Sequence, residues 1–214
     1  MSLPDWIAPG RTALLIVDMQ ADFVSPDGAA GRWGADLSTV PAALAAAQRL
    51  AEAARAAKVP VVFAGLSTRP ETDSPVLLER LRRRGGDPEV EAAICREGEA
   101  GSVFVGPLPQ PNERIIRKTR YSAFWDTDLD EHLRAIAVDT IVLAGVTTEC
   151  CVADTARDAF NLDYHVIVAA DACAAYEPDL HACALKVMDL NTAIVTDTAR
   201  ILAAWDAELG RLGA

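Results

Sequence analysis

The stretch Ile141-Val-Leu-Ala-Gly145-Val-Thr-Thr148-Glu-Cys150-Cys151-Val152-Ala-Asp-Thr-Ala-Arg-Asp158 changes period in its middle. Its opening is a short β-branched apolar run closed by a glycine, the pattern of a strand buried on both faces. Beyond the cysteines, Val152, Ala156, Ala159 and Phe160 recur at helical spacing, while Asp154, Arg157 and Asp158 take the opposite face. A tight turn between strand and helix therefore delivers Cys150 and Cys151 to the first helical turn. A thiol there meets free backbone N–H groups and the positive end of the helix dipole, which is expected to lower its pKa. The same amides suit an oxyanion formed by attack of sulfur on a carbonyl. A free cysteine is also commonly a small buried hydrophobe, so the rest of the chain has to decide.

Working outward, Thr12-Ala-Leu-Leu-Ile-Val17 is a second continuous apolar run, ending in Asp18. Alanine-rich sequence from about 39 to 57 reads as a helix, with Pro41 in its first turn. Val59 to Ala64 reads as strand two, and Arg114 to Arg117 as a short strand ending at Lys118. Helix 128–137, strand 140–144, the cysteine helix, strand 164–169, helix 179–188, strand 193–195 and helix 198–212 complete the pattern. Alternating strands and helices predict an α/β fold: a three-layer α/β/α sandwich around a mostly parallel six-stranded sheet with right-handed crossovers. The interval 65–110 breaks the alternation with glycines and prolines around one helix at 75–84. A long irregular segment of this kind is commonly functional, and is expected to cover one side of a pocket.

The 214 residues suit a single domain spanning 1–214, and 51% hydrophobic with 24% charged residues is ordinary for a globular protein. A net charge of −11 argues against nucleic acid or an anionic membrane as partner, since Arg80 and Arg82 to Arg84 form the one basic cluster. The start of the chain lacks the pattern of a signal peptide, and no apolar run approaches a membrane span. Five irregularly spaced cysteines form neither a disulfide framework nor a zinc pattern, so a soluble, reduced, cytoplasmic protein is expected.

In open parallel sheets ligands gather beyond the carboxyl ends of the strands. Asp18 follows the first strand, Lys118 the third, and the cysteine pair the fourth. Taken singly, such an Asp often caps a turn and such a lysine reaches solvent. Together they supply a nucleophile, a base, and a cation that holds the base ionised.

Three ordered motifs carry a resemblance along nearly the whole chain. Ala13-Leu-Leu-Ile-Val-Asp18-Met-Gln20-Ala-Asp-Phe23, Arg117-Lys118-Thr-Arg-Tyr121-Ser-Ala-Phe124 and Gly145-Val-Thr-Thr148-Glu-Cys-Cys151-Val152 resemble those of the isochorismatase-like cysteine hydrolase superfamily. The resemblance singles out Cys151 as nucleophile, with Asp18 as base and Lys118 as its partner. It implies a cis peptide between Val146 and Thr147, with the Thr147 and Cys151 N–H groups as oxyanion hole. Phe23, Tyr121 and Val146 are expected to contact substrate, with Trp33 and Trp125 as further candidates. Arg69 or Arg120 is a candidate partner for a substrate carboxylate.

Nicotinamidases of this superfamily build a metal site on histidines after strand two. Here that stretch reads Ala64-Gly-Leu-Ser-Thr-Arg69, and His132, His165 and His181 lie elsewhere, so neither metal nor other cofactor is expected. Isochorismatases proper lack the nucleophilic cysteine. The implied activity is therefore hydrolysis of a small amide, of carbamoyl or ureido type, through a thioester. Members of this superfamily commonly form dimers or tetramers, so a homo-oligomer is expected. The alternatives are an isochorismatase-type or nicotinamidase-type hydrolase, or a redox-responsive protein using Cys150 and Cys151.

Overall fold

A computed structural model describes residues 3–212. Six strands form one sheet: β1 (Thr12–Val17), β2 (Val61–Leu66), β3 (Arg114–Lys118), β4 (Thr140–Val146), β5 (His165–Ala174) and β6 (Ile194–Thr196). Their order is β3-β2-β1-β4-β5-β6 and every pairing is parallel, so all carboxyl ends share one edge. The longer helices are α1 (Val40–Ala56), α2 (Pro75–Arg83), α3 (Leu129–Ala135), α4 (Ala153–Asn161), α5 (Pro178–Asn191) and α6 (Thr198–Leu212). None of the described helices is long and apolar enough to cross a membrane.

Strand residues alternate between two cores, as the period of two requires. Ala13, Leu15, Val17, Ile141 and Leu143 meet Leu129 and Leu133 of α3, Ala153, Ala156 and Ala159 of α4, and Met188 of α5. Leu14, Ile16, Phe63, Val142 and Ala144 meet Ala47, Leu50, Ala51 and Ala54 of α1, and Ile201, Ala204 and Trp205 of α6. The alanines of α1 let the helix axis approach the strands closely, which explains why so alanine-rich a helix is buried along one face. Trp205 closes this core, fully buried, with its indole N–H donated to the Ile7 carbonyl at 3.0 Å.

The departures from the sequence expectation have local causes. Strand two begins at Val61 rather than Val59 because the Val59 N–H is tied back to Ala54 of α1, and Pro60 has no N–H to give. Strand β5 runs to Ala174, five residues beyond the expected end. Its pairing with β4 shifts register between Leu143 and Gly145 and then resumes as Gly145↔Cys173 and Val146↔Ala174. Asp171 lies in this irregular part and turns outward to cap α6, accepting from the Thr198 N–H at 2.7 Å and hydroxyl at 2.8 Å. Gly145 sits at φ +145°, and an added Cβ would stand 2.2 Å from the Val17 carbonyl oxygen. Only glycine lets β4 lie so close to β1 at the point where the chain turns toward the cysteines.

The chain leaves β4 through a cis peptide between Val146 and Thr147 and enters a wide helical turn, Thr148–Val152, before α4. Helix α5 steadies that turn: the His181 ring Nδ1 lies 2.8 Å from the Thr148 hydroxyl. The interval 65–110 contains α2, three further short turns of helix (Pro70–Thr72, Pro88–Glu91, Ala100–Ser102) and two isolated bridges, Gln20↔Phe104 and Thr68↔Arg96. Buried Asp22 anchors it, accepting from the Cys95 N–H at 2.7 Å with one oxygen and from the Ala29 N–H at 3.0 Å with the other.

Replacing Trp205 by Ala is expected to cost about 3–5 kcal/mol in urea unfolding, the range for truncating a buried aromatic; a loss below about 1 kcal/mol would contradict this packing. Burial lowers the His181 pKa, opposed by the Glu149 charge. A depressed folded value means the stability is present above about pH 6.5 and lost as pH falls through the folded value. Between pH 7 and 5 the wild type is therefore expected to lose unfolding free energy more steeply than His181→Gln, and parallel slopes would contradict the assignment.

Candidate active site

Asp18 and Lys118 are both fully buried, and the Lys118 Nζ lies 2.6 Å from Asp18 Oδ2. The pair is assembled across three strands. Asp18 leaves β1, Lys118 ends β3, and Leu66, at the end of β2 between them, is the register partner of Lys118. The Leu66 N–H donates to Asp18 Oδ1 at 2.9 Å, and the Lys118 ammonium donates to the Arg120 carbonyl at 3.0 Å. Asp18 itself takes a left-handed conformation (φ 52°), which turns its side chain out of the strand line. Its Oδ2 faces the ammonium at 2.6 Å, and a carboxylate oxygen there has a second lone pair for another donor.

Cys151 stands beside this pair, at 6% exposure. Burial works to lower the Lys118 pKa, but Asp18 and then Cys151 outweigh it and keep the ammonium charged. The Cys151 thiol is pushed well up by its contact with the Cys150 thiol, by burial and by the Asp18 charge, while Lys118 pulls it down. This reverses the expectation of a lowered thiol pKa at a helix start. The contact with Cys150, the loss of water and the Asp18 charge all favour the protonated thiol, against the dipole of the turn. Both cysteines are free.

Around these three, Phe23 packs with Val24, Val40, Val146 and Ala174, and its carbonyl accepts from the Tyr176 hydroxyl at 2.9 Å. The Val146 side chain is buried in that cluster. Tyr121 is half exposed; burial and the neighbouring Cys150 raise its phenol pKa, with Arg80 opposing. Trp33 is exposed, and Trp125 lies under the Arg120 guanidinium, 5.0 Å from ring centre to Cζ. Arg120 is further held by the Thr72 and Thr119 carbonyls, and Arg69 lies 3.4 Å from Glu97, so neither is an uncommitted cation.

Two groups near the site were not singled out from sequence. Tyr176 senses Cys151, Glu149, Asp18 and Cys95, which with burial raise its pKa. It follows the true end of β5, and the rule of carboxyl ends would have found it had the strand been read past Asp171. Cys95, in the irregular segment, is pushed up by burial, then Asp18 and Asp22, with Lys118 opposing. The 65–110 segment thus does pack against this site. His132 and His165 lie elsewhere, and no cluster of three or more metal-binding side chains occurs among the described residues. An open cleft of about 680 Å³, lined by Arg55, Lys58, Pro60, Glu113, Arg114 and His132, sits at the opposite end of the strands.

Residues 12–200 match the isochorismatase domain family. The chain is 34% identical over 220 residues to the ureidoacrylate amidohydrolase RutB of Methylobacterium radiotolerans, covering 97% of this chain and 83% of that protein. A cysteine hydrolase from Pseudomonas syringae superposes with a TM-score of 0.79 at 29% identity, covering 94% of this chain and 95% of that one. N-carbamoylsarcosine amidase from Thermoplasma acidophilum gives 0.69 at 29% identity, over 88% and 96%. With the domain match spanning most of its length, the chain belongs to the isochorismatase-like cysteine hydrolase superfamily and is a hydrolase.

Proposed function

We propose that the chain, working as one domain, is a cysteine-dependent amidohydrolase cleaving a small carbamoyl or ureido amide. The observation that carries the reading is the buried Lys118–Asp18 pair beside Cys151. A solvent-free carboxylate with one open lone pair next to a protonated thiol is a base waiting for its proton. The relationship to ureidoacrylate amidohydrolase and the likeness to N-carbamoylsarcosine amidase support the substrate class.

In this mechanism Asp18 Oδ2 takes the Cys151 proton as the sulfur attacks the carbonyl carbon. The new C–S bond leaves a negative oxygen, held by the Thr147 and Cys151 N–H groups. Collapse breaks the C–N bond, and Asp18 returns the proton to the departing nitrogen. A ureido group R–NH–CO–NH₂ thus releases ammonia and leaves a carbamoyl thioester. Water then attacks, giving its proton to Asp18; the C–S bond breaks and the thiol is restored. Lys118 pairs with Asp18 and stabilises the negative charge as it moves to sulfur and back.

The low exposure of Cys151 favours a small substrate. Phe23 and Tyr121 flank it, Val146 contributes backbone, and Tyr176 holds Phe23 in place. The chemistry uses no metal or organic cofactor, and the protein acts as a soluble cytoplasmic homo-oligomer without nucleic-acid or membrane partners.

The test is ammonia release over ureidoacrylate, biuret, N-carbamoyl amino acids, nicotinamide and maleamate, with Cys151→Ala and Asp18→Asn alongside. The expected result is turnover of a ureido or carbamoyl compound that falls at least about 10³-fold in either variant, the scale for losing a nucleophile or its base. Cys151→Ala retaining wild-type turnover would refute covalent catalysis. Turnover confined to nicotinamide or maleamate would refute the substrate class.

A further inference from the structure

Gln20 is almost wholly buried, and its side-chain amide is spent entirely on backbone. Its Oε1 accepts from the Leu66 N–H at 2.8 Å, while its Nε2 donates to the Leu66 carbonyl at 2.8 Å and to the Ser102 carbonyl at 2.9 Å. The same Leu66 N–H reaches Asp18 Oδ1 at 2.9 Å, and the next residue, Ser67, donates its N–H to the Lys118 carbonyl at 2.9 Å. Two successive peptides around Leu66 at the end of β2 therefore reach the Asp18 carboxylate and the Lys118 main-chain carbonyl, and Gln20 grips the first by its N–H and the second by its C=O. Gly65 gives room to both Phe104 and Gln20: a Cβ there would lie 2.8 Å from the Phe104 Cζ and 3.2 Å from the Gln20 Cδ and Nε2. The side chain is tied to the 65–110 segment at Ser102, and the Gln20 backbone is tied to it by the bridge to Phe104.

From this juxtaposition we infer that Gln20 is the positioning residue of the catalytic base, acting through the backbone on both sides of Leu66. By fixing Leu66 it commits Asp18 Oδ1 to a backbone donor and leaves Oδ2 as the oxygen that faces Lys118 and receives the Cys151 proton. Only a group with one acceptor and two donors on a planar fork meets the demand, which glutamate and methionine of similar length do not. The tie to Ser102 links the position of the 65–110 segment to the aim of the base. This rests on the reading of Asp18 as base, and adds to it the residue that aims it.

The test compares Gln20→Met and Gln20→Glu with wild type and Asp18→Asn in the full-length protein. Three quantities are read: steady-state kinetics on the amide identified above, the urea midpoint, and the iodoacetamide alkylation rate of Cys151 by peptide mass mapping. The expected result is folded variants with kcat lowered about 10- to 100-fold and KM within about threefold, the size of effect when a reacting group loses its orienting contacts. Their Cys151 alkylation rate is expected to move toward that of Asp18→Asn. Kinetics and alkylation matching wild type once folded fraction is corrected would overturn the inference, as would failure of both variants to fold, which would make Gln20 a folding residue. Alkylation needs no substrate. A wild type that hydrolyses no amide, yet whose Cys151 labelling depends on Gln20, would therefore sink the amidase reading and not this one.

Discussion

A carboxylate and an ammonium fully removed from water carry a desolvation cost of several kcal/mol each, which their mutual attraction offsets only when geometry and remaining hydrogen bonds are good. Asp18 and Lys118 meet that condition at 2.6 Å, with the Leu66 N–H on the carboxylate and the Arg120 carbonyl on the ammonium. Much of the surrounding structure follows from keeping this pair dry and aligned. Breaking it by removing one partner would leave an uncompensated charge in the core, at a cost of about 3–5 kcal/mol. The pair is thus a structural commitment as well as a chemical one, and its position fixes where a nucleophile can usefully stand.

The topology supplies that position. With order β3-β2-β1-β4, Asp18 and the cysteine turn come from adjacent strands, while Lys118 reaches across the end of β2. Gly145 allows β4 to run tight against β1 just before the chain turns, and α5 holds the turn through His181 and Thr148. The electrostatic consequence is a thiol pushed toward its neutral form by Cys150, by burial and by Asp18, next to an ammonium that Asp18 keeps charged against burial. In the mechanism proposed above, one proton would pass between sulfur, carboxylate and leaving nitrogen, with the ammonium stabilising the charge at each stage in a low dielectric.

The sheet was legible because five of its strands are apolar runs or end in a charge, and period two against period 3.6 separates them from the helices. Strand β1 matches its expected bounds from Thr12 to Val17. The late part of β5 was not legible: Asp171 reads as a strand terminator, yet it is a helix cap carried on an irregular stretch of strand, and Tyr176 was lost with it. The short helix Ala29–Arg32 hides in a glycine-rich stretch because its start is satisfied by Asp22, seven residues back from Ala29. Asp18, Lys118 and Cys151 were visible as strand ends and as motif positions, whereas Gln20 was visible only as a motif letter. Its role depends on two backbone segments, at 66 and 102, whose convergence no local pattern encodes. The direction of the Cys151 pKa likewise depends on distances to charges far away in the chain.

The account turns on covalent passage of an acyl group through Cys151, and partitioning measures that most directly. Two substrates sharing one acyl group, one releasing ammonia and the other methylamine, would be hydrolysed in the presence of hydroxylamine, and the ratio of the hydroxylamine adduct (an N-hydroxyurea for a carbamoyl group) to the acid recorded for each. A common thioester predicts the same ratio from both substrates at every hydroxylamine concentration. Ratios that differ with the leaving group, or acid alone from both, would mean that water attacks the amide directly and that Cys151 is not the nucleophile.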